Sequence, residues 1–127
     1  MSDNRHPDIE IYVKNCSPDS LHKWLQSVAE QVTQEASQPG THAFTLLIAG
    51  HRVPVLIHEK VAGKAWTSVW FKENYTPWEK DIDCARAAST ALETQIRCIA
   101  SGWNNGDDPD EWWKVEGDNE ELITWLT

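Results

Sequence analysis

The sequence lacks the short motifs that usually identify a cofactor-binding enzyme or a metalloprotein. Its three cysteines, Cys16, Cys84 and Cys98, include no CxxC spacing, and its five histidines form no HxH or HxxxH pair. It contains no GxGxxG, P-loop or GxSxG segment, so the familiar nucleotide-binding and hydrolase signatures are absent. These absences predict no metal site and no cofactor, and no pattern in the chain argues for an enzyme.

The chain also has no long apolar run. None approaches the roughly 18 residues that a membrane-spanning helix needs, and the N-terminal MSDNRHPD carries no apolar signal core. An odd number of cysteines without framework spacing fits a reducing compartment. We therefore expect a cytoplasmic chain without a membrane partner. Its 127 residues predict a single α+β domain over 1–127, with residues 1–7 disordered.

Basic residues are scarce in the last part of the chain. The formal net charge is −9, and residues 103–127 carry eight acidic side chains against the single Lys114. Binding to nucleic acid or to anionic lipid needs a basic surface, which argues against both as partners. The acidic segment serves solubility and permits a basic partner.

The first half of the chain alternates between strand and helix signals. Asp8–Asn15 alternates apolar and polar residues, which predicts a half-buried strand. Ser17-Pro18 is a cap-plus-proline signal that begins a helix predicted over Pro18–Ala36. Three strands follow, His42–Ala49, Val53–Val61 and Ala65–Phe71, and their tight glycine-containing links favour an antiparallel meander.

The longest predicted helix runs over Thr76–Gly102. Thr76 and Glu79 form a capping-box pattern around Pro77, and Gly102 fits a left-handed C-cap. The predicted buried face consists of Ile82, Ala85, Ser89, Leu92, Ile96 and Ile99. The outer face places Glu93 and Arg97 as an i,i+4 ion pair. Cys84 and Cys98 fall about 21 Å apart along this helix, too far to share one metal ion.

Residues 103–127 are predicted to form an acidic, tryptophan-rich extension. Trp112–Glu116 suits a short strand, and Asp118 with Glu121 is a second capping box that starts a short helix through Leu126. The expected fold is a two-layer α+β sandwich with a β-α-β-β-β-α core, a mainly antiparallel sheet and this strand and helix at its end. The first crossover should be right-handed, which makes strand 1 parallel to strand 2 if they share the sheet. Strand 1 can lie beside strand 2 or beside strand 4.

This element order is similar to that of the small acidic chaperones of type III secretion, and its α-β-β-β-α part resembles double-stranded-RNA-binding domains. The second predicted helix begins TPWEKD, which lacks the basic residues that such RNA binding requires. Neither resemblance implies a site in this chain.

The predicted sheet has apolar residues on both faces. The expected helix-covered face comprises Ile9, Ile11, Val13, Phe44, Leu46, Ile48, Val53, Val55, Ile57, Val69 and Phe71. Period two assigns to the second face Tyr12, Leu47, Leu56, His58, Trp66 and Trp70. An exposed apolar face of this kind usually marks an interaction site. Three occupants fit it: the C-terminal segment with its tryptophans and Leu126, a second copy in a homodimer, or a foreign ligand.

Eight tryptophans are present, and tryptophan is enriched in recognition hot spots. Trp24, Trp78 and Trp103 suit packing around the helices, whereas Trp66, Trp70, Trp112 and Trp113 are the candidates for recognition. The chain is therefore predicted to be a non-enzymatic protein-interaction module that uses an aromatic sheet face and an acidic tail. One alternative is a small-molecule or catalytic pocket between the sheet and the C-terminal segment. Another is an acidic inhibitor or nucleic-acid mimic that uses residues 107–121.

Overall fold

A computed structural model describes residues 6–61, 63–100 and 111–125 of the chain. In these ranges the fold is α+β, with eight strands in one sheet and two helices. The elements are β1 (Ile9–Lys14), α1 (Pro18–Val28), β2 (Gln31–Gln38), β3 (Thr41–Ile48), β4 (His51–Glu59), β5 (Trp66–Phe71), α2 (Asp81–Leu92), β6 (Ile96–Ile99), β7 (Glu111–Glu116) and β8 (Asn119–Thr124). Every pair of neighbouring strands is antiparallel, which confirms the predicted class and the mainly antiparallel sheet.

The N-terminal strand lies in the middle of the sheet, whose order is β2-β3-β4-β5-β1-β6-β7-β8. The prediction that strand 1 runs parallel to the next meander strand is wrong. Helix α1 carries the chain to the far edge at β2, and the hairpin-linked strands β2 to β5 then return to β1. After that path β5 arrives beside β1 in the antiparallel sense. The extra strand β2 also changes the predicted element order.

Helix α1 begins where the sequence predicts. The Ser17 hydroxyl accepts a hydrogen bond from the Ser20 N–H at 3.2 Å, and Pro18 occupies the first helical position. The predicted end at Ala36 is wrong, because the backbone becomes extended at Ala29 and Gln31–Gln38 pairs with β3. As the sheet edge, β2 can carry polar residues that a central strand would not tolerate.

Helix α2 is much shorter than predicted. The Thr76 hydroxyl accepts from the Trp78 N–H at 3.2 Å and donates to the Asn74 side chain, so it stabilises a turn before the helix rather than capping it. The helix ends at Leu92 because Glu93 adopts the left-handed conformation (φ 54°, ψ 45°). Beyond this residue the chain reverses into β6, and the prediction of helix through Ile96 and Ile99 is wrong.

The C-terminal extension adds a hairpin to the sheet. The predicted strand at Trp112–Glu116 is confirmed within β7. The predicted helix from Asp118 is wrong, because Gly117 at φ 62° turns the chain and Glu116 pairs with Asn119. The acidic pattern that looked like a helix cap is the turn and edge strand of this hairpin.

The hydrophobic core lies between the sheet and the two helices. All eleven residues predicted for the helix-covered face are buried. They contact the buried faces of both helices, which consist of Leu21, Trp24, Leu25, Cys84, Ala85 and Ala88. Trp24 stacks on Trp78 at 5.7 Å between ring centroids, so the predicted packing role of both tryptophans is confirmed; Trp103 lies outside the described ranges. Neither described helix is long and apolar enough to cross a bilayer.

Candidate interaction surface

The sheet face opposite the helices carries most of the predicted recognition residues. Cross-strand pairing places them together: Tyr12 lies opposite Ser68 and Arg97, and Leu56 lies opposite Trp70. We call this side the open face. Seven of the eight predicted residues share it, namely Tyr12, Leu47, Leu56, His58, Trp66, Trp70 and Trp112. Trp113 does not, because it pairs with Cys98 and packs against the helix-covered core.

One half of the open face is filled by aromatic side chains. Tyr12 makes edge-to-face contacts with Trp112 and with Trp125, at 5.2 Å and 5.5 Å between ring centroids. Trp125 also contacts Trp66 at 5.0 Å and Trp112 at 4.9 Å. We call these four rings and Arg97, which contacts two of them, the aromatic cluster. Such contacts contribute about 0.5–1.5 kcal/mol each beyond the area they bury, so the cluster fastens the C-terminal hairpin to β1 and β5.

Arg97 is the cation inside the aromatic cluster. Its Cζ lies 4.6 Å from the ring centroid of Trp66 and 4.6 Å from that of Trp125. Its Nε donates to the Gln95 side-chain oxygen at 3.0 Å, and Gln95 in turn donates to Glu116 at 3.2 Å. Partial burial lowers the pKa of Arg97, because desolvation disfavours the charged form. The two ring centroids lie only 5.0 Å apart, so the indoles contact this guanidinium from adjacent directions and leave its other side uncovered by these rings.

Sequence reasoning missed Arg97, which it placed on the outer face of a helix beside Glu93. The structure puts it on β6, in register between Tyr12 and Lys114. The signal that reveals it is the period of two in the segment Ile96–Ile99, where buried and more exposed residues alternate. Over four residues that pattern also satisfies helical spacing, which is why it was overlooked.

The other half of the open face has no helix or aromatic ring over it in the described structure. It carries four half-buried side chains that we call the open patch: Leu47, Leu56, His58 and Trp70. None of them belongs to the hydrophobic core. The Trp70 indole N–H donates to Asp8 Oδ2 at 2.8 Å, and Lys72 Nζ lies 5.4 Å from its ring centroid. Polar contacts therefore fix the orientation of this indole while leaving part of its ring in contact with solvent.

Much of the described acidic surface near the C-terminus is already paired. Glu120 accepts two hydrogen bonds from Arg86, at 2.7 Å and 3.0 Å, and the pKa of Glu120 is lowered chiefly by that bond. Lys114 Nζ lies 3.3 Å from Glu121. The acidic residues 107, 108 and 110 lie outside the described ranges. Two described acidic residues of the predicted acidic tail, Glu120 and Glu121, are therefore ion-paired on the edge strand β8.

In the described residues, neither the cysteines nor the other potential metal-binding side chains are arranged as a catalytic or metal site. All three cysteines are free, and burial raises the thiol pKa of Cys16, Cys84 and Cys98. Cys98 lies on β6, so the predicted 21 Å separation from Cys84 along one helix is wrong, and the two thiols interact electrostatically. Within the described ranges no group of three or more histidine, cysteine or acidic side chains is placed to hold a metal ion.

One chain of polar groups was not predicted. Ser37 Oγ lies 3.0 Å from His42 Nδ1, and His42 Nε2 lies 2.8 Å from Glu59 Oε2. The three residues come from β2, β3 and β4, and Ser37 pairs directly with His42 across the hairpin. A hydroxyl, an imidazole and a carboxylate in this order are the groups of a nucleophilic relay. The same contacts also link β2, β3 and β4 at this edge of the sheet.

Comparisons with models of protein families, with curated proteins and with solved structures gave no match to this chain.

Proposed function

We propose that this chain is a non-enzymatic protein-interaction module that binds its partner through the open face. The observation that carries the proposal is the open patch, where Trp70 and its cross-strand neighbour Leu56 are only half-buried on a sheet whose other face is packed with helices. In this arrangement the helices form a supporting layer and the sheet presents the recognition layer. Tryptophans in such positions are the residues most enriched in binding hot spots.

The aromatic cluster supports this proposal by making the neighbouring surface rigid. Trp66 is buried beneath Trp125, with 8 % of its surface exposed, and four rings pack against one another beside the open patch. A surface that is ordered before binding loses less conformational entropy when a partner docks. The cluster also occupies the place where the alternative, a pocket between sheet and C-terminal segment, would need a cavity.

The experiment replaces two residues of the open patch, Leu56→Ala and Trp70→Ala, singly and together. Retained circular dichroism and thermal unfolding establish that the fold is intact. We expect loss of partner capture from native cells or, if the partner is a second copy, a change from dimer to monomer in light scattering. Leu122→Ala is the matched control, because Leu122 is 50 % exposed on β8, outside the open patch. Unchanged assembly in the double variant would contradict the proposal.

The net charge of −9 favours a partner that is neutral or basic overall. A salt titration of the complex separates two modes of binding. Binding that weakens only slightly with salt supports docking on the open patch. Binding that collapses with salt supports the acidic inhibitor or nucleic-acid mimic, whose charge would come from residues 107–121.

A second candidate function, acyl transfer, is favoured by one observation, the Ser37–His42–Glu59 chain. In that reaction Ser37 Oγ attacks an ester carbonyl and passes its proton to His42 Nδ1, while Glu59 accepts a hydrogen bond from the other ring nitrogen. The ester C–O bond then breaks, the alcohol leaves with the proton from His42, and water hydrolyses the acyl group from Ser37 by the same route. Labelling with a fluorophosphonate tests it. Modification of Ser37 that is lost in Ser37→Ala and in His42→Gln, and kept in Ser20→Ala, would support it; an unlabelled protein would exclude it.

A further inference from the structure

Two arginines of the described structure differ in their counter-ions. Arg86 is ion-paired, and Arg97 contacts aromatic rings. Arg86, on α2, lies within 3.2 Å of Asp83 and 2.7 Å of Glu120. Arg97, on the open face, has no carboxylate at ion-pair distance among the residues that the structure describes. Arg97 is half-buried and partly desolvated. A desolvated cation without a counter-ion is unfavourable even when aromatic rings offset part of the cost.

The nearest cross-strand neighbour makes this position more electropositive. Arg97 lies directly opposite Lys114 in the β6–β7 register, and like charges placed directly opposite each other destabilise a sheet. Lys14 is on the same face of the adjacent strand β1. Of these three cations, Lys114 has Glu121 as its partner. In a chain with nearly twice as many acidic as basic residues, the direct cross-strand neighbour of Arg97 is thus a second cation, and Glu116 reaches Arg97 only through Gln95.

The geometry of Arg97 limits the anion it can accept. Two indoles lie against the guanidinium, and Nε is already bonded to Gln95. The terminal nitrogens make no hydrogen bond to any residue in the described ranges. They form a planar pair of donors, which matches the two oxygens of a carboxylate. The flanking rings add an apolar surface for whatever carries that carboxylate.

We propose that Arg97 receives a single carboxylate of the partner protein, either a chain terminus or an aspartate or glutamate side chain, with Lys114 and the rings of Trp66 and Trp125 beside it. This inference rests on the proposed function, since the partner supplies the carboxylate. A polyphosphate strand is disfavoured as the ligand because the chain as a whole repels polyanions. One carboxylate on a neutral or basic partner meets no such repulsion.

The test uses a matched pair of small ligands, N-acetyl-leucine and N-acetyl-leucinamide, which differ in charge and not in shape of the apolar part. Nitrogen-15 NMR follows the Arg97 Nε–H and the indole N–H groups of Trp66 and Trp125 at constant ionic strength. We expect saturable shifts with the acid and at least about tenfold weaker binding of the amide, the factor that one charge-assisted hydrogen bond supplies.

Three variants test whether Arg97 causes the difference in binding between the acid and the amide. Arg97→Gln should lower binding of the acid to the level of the amide, and Arg97→Lys should lose most of it, because an ammonium cannot make the planar two-point contact. Arg86→Gln removes the same charge from the helix side and should leave binding unchanged. Thermal unfolding of each variant checks the fold.

Equal binding of acid and amide, or an equal loss in Arg86→Gln, would overturn the inference. Inorganic phosphate that binds as tightly as the acid would also overturn it, by making phosphate the ligand class. If the carboxylate fails to bind while Leu56→Ala and Trp70→Ala still abolish assembly, the proposed function stands and this inference alone is wrong. If both fail, the open face is not the recognition surface.

Discussion

On the helix side of the sheet, Arg86 makes two hydrogen bonds to Glu120 of the edge strand, whereas on the open side Arg97 lies against two neighbouring indoles. Both arginines hold the C-terminal hairpin to the rest of the fold. One does so with the chain's own carboxylate and the other with aromatic faces. The helix side thus has its core, the Ser17 cap of α1 and the Arg86–Glu120 ion pair in place. The open side keeps Arg97, Leu56 and Trp70 partly accessible to another molecule.

Removing one indole from each side of the sheet is expected to give the largest losses in the free energy of unfolding. Trp24→Ala should cost about 3–5 kcal/mol, since Trp24 is a buried core residue against Phe71 and Trp78. Trp125→Ala should cost about 1–2 kcal/mol, because it loses ring contacts at a half-exposed site. Urea denaturation measures both. Equal losses would mean that the aromatic cluster is a second core.

A pH titration of stability compares one buried carboxyl on each side. Burial raises the pKa of Asp81, at the start of α2, to about 6, and burial also raises that of Glu10 on the open face. The folded state therefore holds these protons more tightly than the unfolded chain, so their contribution to stability is largest at acid pH and is lost as the pH rises. For Asp81 the loss falls between its ordinary value of 3.8 and about 6.

Asp81→Asn should remove this decline. Between pH 4 and pH 7 we expect the free energy of unfolding of the wild type to fall by about 1–3 kcal/mol more than that of the variant. His6 Nδ1 lies 3.5 Å from Asp81 Oδ1, so His6→Gln is the control for a contribution of the imidazole. Glu10→Gln should change in the same direction by less, because Glu10 is more exposed. A decline that persists unchanged in Asp81→Asn would assign it to other groups.

The smallest expected effect concerns salt. Arg86→Gln should cost about 0.2–1 kcal/mol at low ionic strength, since half of the Arg86 side chain is exposed, and almost nothing at 1 M salt. The cost of Arg97→Gln should not shrink with salt. Salt does not screen the contacts of Arg97 with the rings, whereas it does screen the repulsion between Arg97 and Lys114. Parallel salt dependence of the two variants, measured by denaturation, would contradict the distinction between the two arginines.

The sequence was sufficient for elements whose residues carry their own pattern. The alternation of Ile9, Ile11 and Val13 identified β1, and the Ser17 cap identified the start of α1. The strand Gln31–Gln38 could not be identified in this way. It is mostly polar, with Val32 as its one large apolar residue against the core, and its pairing with β3 determines its conformation, which is a tertiary effect that overrides local propensity.

Capping patterns misled at two places for a common reason. Thr76 and Asp118 are residue types that bond to nearby backbone in turns as readily as at helix starts. The Thr76 hydroxyl bonds within its own turn, and the turn beside Asp118 closes a hairpin. For the site, period two correctly placed on one face all six residues that it assigned there, from Tyr12 to Trp70. Arg97 escaped because its partners Trp66 and Trp125 are distant in sequence.

The central position of β1 has a consequence for how the chain is made. Ile9, Ile11 and Val13 are synthesised before the other described strands of the sheet, yet their strand pairs only with β5 and β6. Until Trp66–Phe71 has been synthesised, this apolar segment has no strand to join. Closing the sheet around it then requires contacts between distant parts of the sequence, which fold slowly. An apolar strand without its pairing partners exposes a segment that promotes aggregation. The nascent chain is therefore most prone to aggregate before β5 has been synthesised.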